Sequence, residues 1–382
     1  MAGIRVVEFC NVAAGPFCGM LLADMGADVV KIEHPHGGDG LRQWPPLTDG
    51  FSENFASLNR NKRSVALDLK DPDDAARARR LVLAADVVVE NNRPGVMARL
   101  GLDYESFRDE KPALVYCSIS AFGQDGPRAE EAGFDLTVQA MSGIMSVTGE
   151  PDGAPVKCGV PIADFSSGLY AAFAIVTALV QARDTGRGVH IDAPMLGVSL
   201  AIAALQTSEY FGRGTDPRKL GSAHPRNAPY QAFRASDGHF AMAAGNDSLW
   251  RAVCTAIDRQ DLLDDQRFVS TSARASHQEA LRDILEVEFK DRTCTELLDL
   301  FRTAGVPCAP IHTYSEALAD PQVEHMGWIE EIELPGGQRT RTFGSPVRFD
   351  GAGFPVYRQP PALGEHGAEL TGEDWVKGTA NG

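Results

Sequence analysis

Asp164 is the side chain in this sequence best placed to act as a nucleophile. It sits in the run Gly159-Val-Pro-Ile-Ala-Asp-Phe-Ser-Ser-Gly168, after an extended, proline-interrupted stretch and before a strongly apolar one. An aspartate there has two compatible uses. It can cap a helix as its N-cap residue, and the helix dipole and free N–H groups would keep the carboxylate ionised. An ionised carboxylate in an apolar surround is a competent nucleophile. A second chemistry is anion binding. Arg60, Lys62 and Arg63 cluster in Asn59-Arg-Asn-Lys-Arg-Ser64, and Lys70, Asn91, Arg93 and Arg99 follow expected strand ends. Such runs are usually solvated loops. In a chain of net charge −16, cations collected at the carboxyl ends of strands suit an anion site as well as a solvated face.

Other chemistries find less support. Glu33 ends a strand and invites a dinucleotide reading, but the turn before it is Asn11-Val-Ala-Ala-Gly-Pro16 rather than G-x-G-x-x-G. Pro16 also removes an N–H that a pyrophosphate would use. The sequence holds neither the G-x-S-x-G elbow of common serine hydrolases nor an H-E-x-x-H metal pattern, and its nine histidines are dispersed. The expectation is therefore no metal and no nucleotide redox cofactor.

The elements that must position these groups follow from periodicity. Apolar, β-rich runs at 4–9, 29–33, 65–69, 86–90 and 114–119 are expected strands. Helices are expected over 17–25, opened by Pro16, and from Asp71 onward, where an N-cap aspartate precedes a first-turn proline. Strands separated by helices mean βαβ units and a mainly parallel sheet. Further helices are expected at 132–146, 165–183 and 195–211, with a short strand at 189–192. From Tyr230 to about Thr313 a smaller α/β unit is expected, with a hairpin through Ser236-Asp-Gly238 and helices at 247–257 and 278–289.

Composition sets the outer limits. The chain has 382 residues, 43% hydrophobic and 23% charged, which excludes a disordered protein and leaves room for more than one domain. Its acidity disfavours general binding to nucleic acid or an anionic membrane. The longest apolar stretch, 169–180, falls short of the roughly 20 residues of a membrane span, and no signal peptide is expected at the N-terminus. Seven scattered cysteines without a C-x-x-C pair suit reduced thiols, hence a cytoplasmic location.

Taken together, the motifs resemble those of the class III CoA-transferases, the formyl-CoA and carnitine type, a family that also includes α-methylacyl-CoA racemase. The likeness is carried by Ala14-Gly-Pro16, Leu22-Ala-Asp-Met-Gly-Ala-Asp-Val-Val-Lys-Ile-Glu33, Asn59-Arg-Asn-Lys-Arg-Ser64 and Leu67-Asp-Leu-Lys70. It continues through Ala85-Asp-Val-Val-Val-Glu-Asn-Asn-Arg-Pro-Gly95, Ser120-Ala-Phe-Gly-Gln-Asp-Gly-Pro127, Gly133-Phe-Asp135, Gly159 to Gly168 and Thr185-Gly-Arg-Gly188. It ends in His224-Pro-Arg-Asn-Ala-Pro-Tyr-Gln-Ala-Phe233 and Pro361-Ala-Leu-Gly-Glu-His366. Each motif alone is weak; their ordered set is specific.

The resemblance implies an α/β fold with a large Rossmann-like parallel-sheet domain built from both chain ends, a smaller α/β domain, and an interlocked homodimer. The corresponding segments are 1–211, a linker at 212–227, the small domain at 228–325, and a returning segment at 326–382. It implies CoA contacts at Val12, Ala13, His34, Leu67, Lys70, Asn91 and Arg99, and a catalytic aspartate at Asp164. His34 stands where the formyl-CoA enzyme has an arginine. Asp135 matches an acidic position near the site, with a structural role as its alternative. His224 and Arg226 replace the formyl-CoA enzyme's glycine run and would orient a second carboxylate, which suits a dicarboxylic acceptor with succinyl-CoA as donor. Racemisation is the alternative activity, but its second acid/base partner would stand at Phe134, and an arene exchanges no proton. A non-catalytic CoA-binding subunit is the other alternative, against which the retained Asp164 argues.

Overall fold

The computed structural model of the protein describes residues 1–370 and Trp375; the remainder of the expected returning segment lies outside the described residues. The chain divides into two compact units. One gathers Met1–Ile144, Lys157–Thr215 and Pro321–Gly382; the other gathers Met145–Val156 and Asp216–Asp320.

The first unit is organised by six parallel strands: β1 (Arg5–Phe9), β2 (Asp28–Glu33), β3 (Lys62–Ala66), β4 (Val87–Glu90), β5 (Val115–Ser120) and β6 (His190–Pro194), in the order β3-β2-β1-β4-β5-β6. This is the doubly wound order of dinucleotide-binding folds, and its direction reverses between β1 and β4. Valines fill the middle of the sheet because both faces are covered, so alternation disappears there. On one face β1, β4 and β5 pack against helix α1 (Ala14–Asp24) and helix α4 (Ile162–Thr185) through Cys18, Leu22, Ala171 and Ile175. On the other, helix α2 (Pro72–Ala84) contributes Ala78, Leu81 and Val82 to a second core. Asp71 caps α2 by accepting the N–H groups of Asp73 and Asp74 at 2.9 and 3.1 Å.

Several expected boundaries shift. The third strand is Lys62–Ala66 rather than 65–69, so Lys70 stands four residues beyond its end. The helix expected at 132–146 is two short ones, α3 (Asp135–Met141) and Ile144–Val147, separated by Gly143 at φ 82°. The long helix begins at Ile162 with Pro161 at its N-cap, so Asp164 lies inside the first turn and is not the cap.

The second unit holds an antiparallel sheet of three strands, Tyr230–Arg234, His239–Ala243 and Cys308–Pro310. It packs on Asp247–Ala256, Gln278–Phe289 and Cys294–Thr303 through a core containing Phe233, Phe240, Phe289 and Phe301.

Candidate active site

In an open α/β sheet the crevice lies beyond the carboxyl ends of the strands where the order reverses. Here those ends are Phe9 and Glu90, and the loops that follow, Asn11 to Ala13 and Asn91 to Pro94, form one wall of a cleft of about 310 Å³. Asp164, Phe134 and Met195 complete it. A second cleft of about 200 Å³ is lined by His34, Leu67, Lys70 and Met97, and shares Asn11 and Asn92 with the first. The structure thus brings Val12, Ala13, Asn91 and Asp164 together, with His34, Leu67 and Lys70 next door. Arg99 closes the short helix Val96–Arg99 with its guanidinium over Gly95, and is not among the residues lining either cleft.

Asp164 reaches this cleft because α4 crosses close to α1. A Cβ at Gly168 would stand 2.7 Å from the Ala14 carbonyl oxygen and 3.0 Å from the Phe17 ring, so only glycine permits the approach. One turn earlier, the close crossing sets the Asp164 carboxyl beside the start of α1.

The surroundings of Asp164 oppose the ionisation expected from the sequence. Burial, and then the neighbouring Asp135 charge, push its pKa up from the usual carboxylate range to about 7. Two of the N–H groups at this helix start are engaged elsewhere. Ala163 N–H donates to Asp135 Oδ1 at 2.9 Å, and Phe165 N–H donates to the Pro161 carbonyl at 3.0 Å. Asp135 is fixed by that bond and by the Gln139 side-chain amide, which donates to its Oδ2 at 2.7 Å. Gln139 in turn accepts the Cys158 N–H at 2.9 Å, tying the extended run before α4 to α3.

The early basic residues do not form one exposed anion site. Lys62 is fully buried and pairs with Glu8 at 2.8 Å; Arg60 pairs with Asp24 at 2.6 Å; Arg63 pairs with Asp28 and Glu369. Glu33, the residue that invited a dinucleotide reading, accepts two bonds from Arg42 at 2.7 Å and one from Ser64 at 2.6 Å. Apart from Glu33 with Arg42, these pairings join residues tens of positions apart, and no local sequence signal marks them. Arg93 does line the Asp164 cleft.

His224 and Arg226 belong to the second unit. The backbone N–H groups of Arg226 and Asn227 donate to His224 Nδ1 at 3.2 and 3.1 Å. Burial and the Arg226 charge lower the His224 pKa. Its ring is therefore neutral at pH 7 and presents an Nε2–H donor, while any positive charge in this loop comes from Arg226.

Comparison with known proteins agrees with this geometry. The model of CoA-transferase family III matches residues 1–367. The chain is 42% identical to the succinate–glutarate CoA-transferase of Agrobacterium fabrum, over 98% of this chain and 95% of that one. It is 36% identical to the human succinyl-CoA:glutarate CoA-transferase, over 98% of this chain and 85% of that one. Among solved structures, a CaiB/BaiF family protein of Brucella suis superposes with a TM-score of 0.85 at 40% identity, covering 97% of each chain. A cleft at the switch point of a doubly wound sheet, a lone aspartate on its wall and a family match along the whole length lead to one conclusion: the chain belongs to CoA-transferase family III and is a CoA-transferase.

Proposed function

We propose that the enzyme transfers CoA from succinyl-CoA to a dicarboxylic acid through covalent intermediates on Asp164. The observation that carries this reading is the Asp164 carboxyl on the wall of the switch-point cleft. The donors and acceptors named for the relatives, succinate and glutarate, support the substrate class.

The chemistry must move CoA between carboxylates without losing the thioester to water. An Asp164 oxygen attacks the donor thioester carbonyl and expels CoA thiolate, leaving a mixed anhydride. The thiolate attacks the aspartyl carbonyl and expels the donor carboxylate, leaving an aspartyl-CoA thioester. The acceptor carboxylate attacks that thioester, expelling thiolate and forming a second anhydride. The thiolate then attacks the acceptor's acyl carbon, releasing the new acyl-CoA and the Asp164 carboxylate. No proton is gained or lost overall. Burial favours the first step, because acylation turns a desolvated anion into a neutral group.

Val12, Ala13, His34, Leu67, Lys70, Asn91 and Arg99 are assigned to CoA, and Asp135 to support of Asp164. His224 and Arg226 are assigned to the distal carboxylate of the acceptor. Phe134 on the wall of the same cleft offers no proton for a two-base racemase. The working form is proposed to be a homodimer in the cytoplasm, the latter supported by seven cysteines that are all free thiols.

Incubation with succinyl-CoA followed by hydroxylamine is expected to mark Asp164, read by mass spectrometry, and Asp164→Ala should abolish transfer to glutarate. Transfer by the alanine variant, or turnover without any mark on Asp164, would overturn the mechanism.

A further inference from the structure

Four charged side chains with no solvent exposure lie directly beneath the wall of the cleft: Glu8, Lys31, Asp39 and Lys62. Two acids and two bases make the set neutral, as burial demands. Its geometry is directed at the loop between β1 and α1. Lys31 Nζ donates to the Cys10 carbonyl at 2.6 Å and pairs with Glu8 at 2.9 Å and Asp39 at 2.9 Å. Asp39 Oδ1 accepts the Val12 N–H at 3.0 Å and the Leu41 N–H at 2.9 Å. Between these two grips, the Asn91 side chain accepts the Asn11 N–H and donates to the Asn11 carbonyl, both at 2.9 Å. Val12 itself sits at φ 66°, in the left-handed region that a β-branched residue rarely occupies. A conformation of that kind persists only where its surroundings hold it.

We infer that Asp39, backed by Lys31, is a positioning residue that locks Val12 in this conformation and thereby shapes the part of the cleft that takes the CoA thioester. It touches no substrate and acts through the Val12 amide. The inference rests on the CoA-transferase reading of the cleft, but on no step of the Asp164 chemistry. Removing Asp39 alone would leave two buried ammonium groups sharing the Glu8 carboxylate and unsettle the fold, so the test uses two charge-balanced double variants. Lys31→Met/Asp39→Asn keeps an amide oxygen for Val12; Lys31→Met/Asp39→Leu does not.

At matched melting temperature, the leucine variant is expected to bind CoA about tenfold more weakly than the asparagine variant, by titration calorimetry. It should also lose hydrogen-exchange protection at Val12 while β1 and α1 keep theirs. Equal CoA affinity and equal Val12 exchange in the two variants overturn the inference. Should the leucine variant not fold, the unmodified chain decides: its Val12 amide should exchange about a hundredfold slower than a free amide, and free exchange there overturns the lock. Absence of CoA transfer by the unmodified chain counts instead against the proposed function, since neither readout requires turnover.

Discussion

At the scale of single residues, burial and the neighbouring Asp135 charge set the acidity of Asp164. In the sequence Asp164 stood out because an ionised carboxylate in an apolar surround is a competent nucleophile, and the structure places it on the cleft wall. Its ionisation depended on which N–H groups remained free, and Asp135, 29 positions earlier, takes one of them. Nothing in the local pattern carries that information. The consequence is a pH dependence with a definite sign. In the proposed mechanism the carboxylate is the nucleophile, and with a pKa of about 7 the reactive fraction declines as pH falls through neutrality. The donor kcat/KM should therefore fall about tenfold per unit well below pH 7 and level off above it. Asp135→Asn keeps an oxygen for the Ala163 N–H and removes the charge that raises the Asp164 pKa. Its acidic limb should move to lower pH, as a pH-rate profile will show; an unmoved limb would leave Asp135 no electrostatic role.

At the scale of elements, the valine-rich central strands and the Asp71 cap were legible because hydropathy and capping are local. The third strand was not. The apolar run 65–69 looked like the strand, whereas β2 pairs with Lys62 to Ala66, whose Lys62 and Ser64 are polar yet fully buried. Lys62 can be inside only because Glu8 lies there to meet it, and Glu8 has room because Gly19 has no Cβ to strike its carboxylate. A reading by hydropathy assigns such a lysine to a loop. The same dependence on close approach governs the crossing of α1 and α4. Gly168→Ala puts a methyl against the Ala14 carbonyl and Cys18 N–H, and overpacking of that kind costs about 1–3 kcal/mol. Displacing the crossing also moves Asp164 away from the loop that should present the thioester. Acylation, followed by rapid quench, should slow by about a hundredfold for a shift near 1 Å, while the acceptor KM stays put. Unchanged acylation would mean that the crossing does not set the nucleophile.

At the scale of the whole molecule, the issue is what covers the outer face of α4. Its inner face, with Ala163, Ala171, Ile175 and Ala182, is core. The outer face presents Leu169, Phe173, Val176 and Val180 at helical spacing, with Phe173 73% exposed. Helix Ala204–Arg213 adds Leu205, Tyr210 and Phe211, the last 81% exposed. A helix apolar on all sides is one that is covered on all sides, and large exposed apolar patches are uncommon on monomers. α4 is also long and apolar enough to cross a membrane by length and composition. The two coverings make opposite demands. A bilayer would leave the chain insoluble without detergent; a second copy leaves it soluble at twice its 41.0 kDa. The net charge of −16 favours the second, because an anionic lipid surface repels such a chain. Sedimentation should therefore show a dimer at micromolar concentration without detergent. Phe173→Glu with Phe211→Glu should shift it toward monomer, since each buried glutamate pays desolvation with no opposite charge to meet it. A detergent requirement, a monomeric unmodified chain, or a dimer indifferent to both substitutions would each contradict the assignment of this face to a second copy.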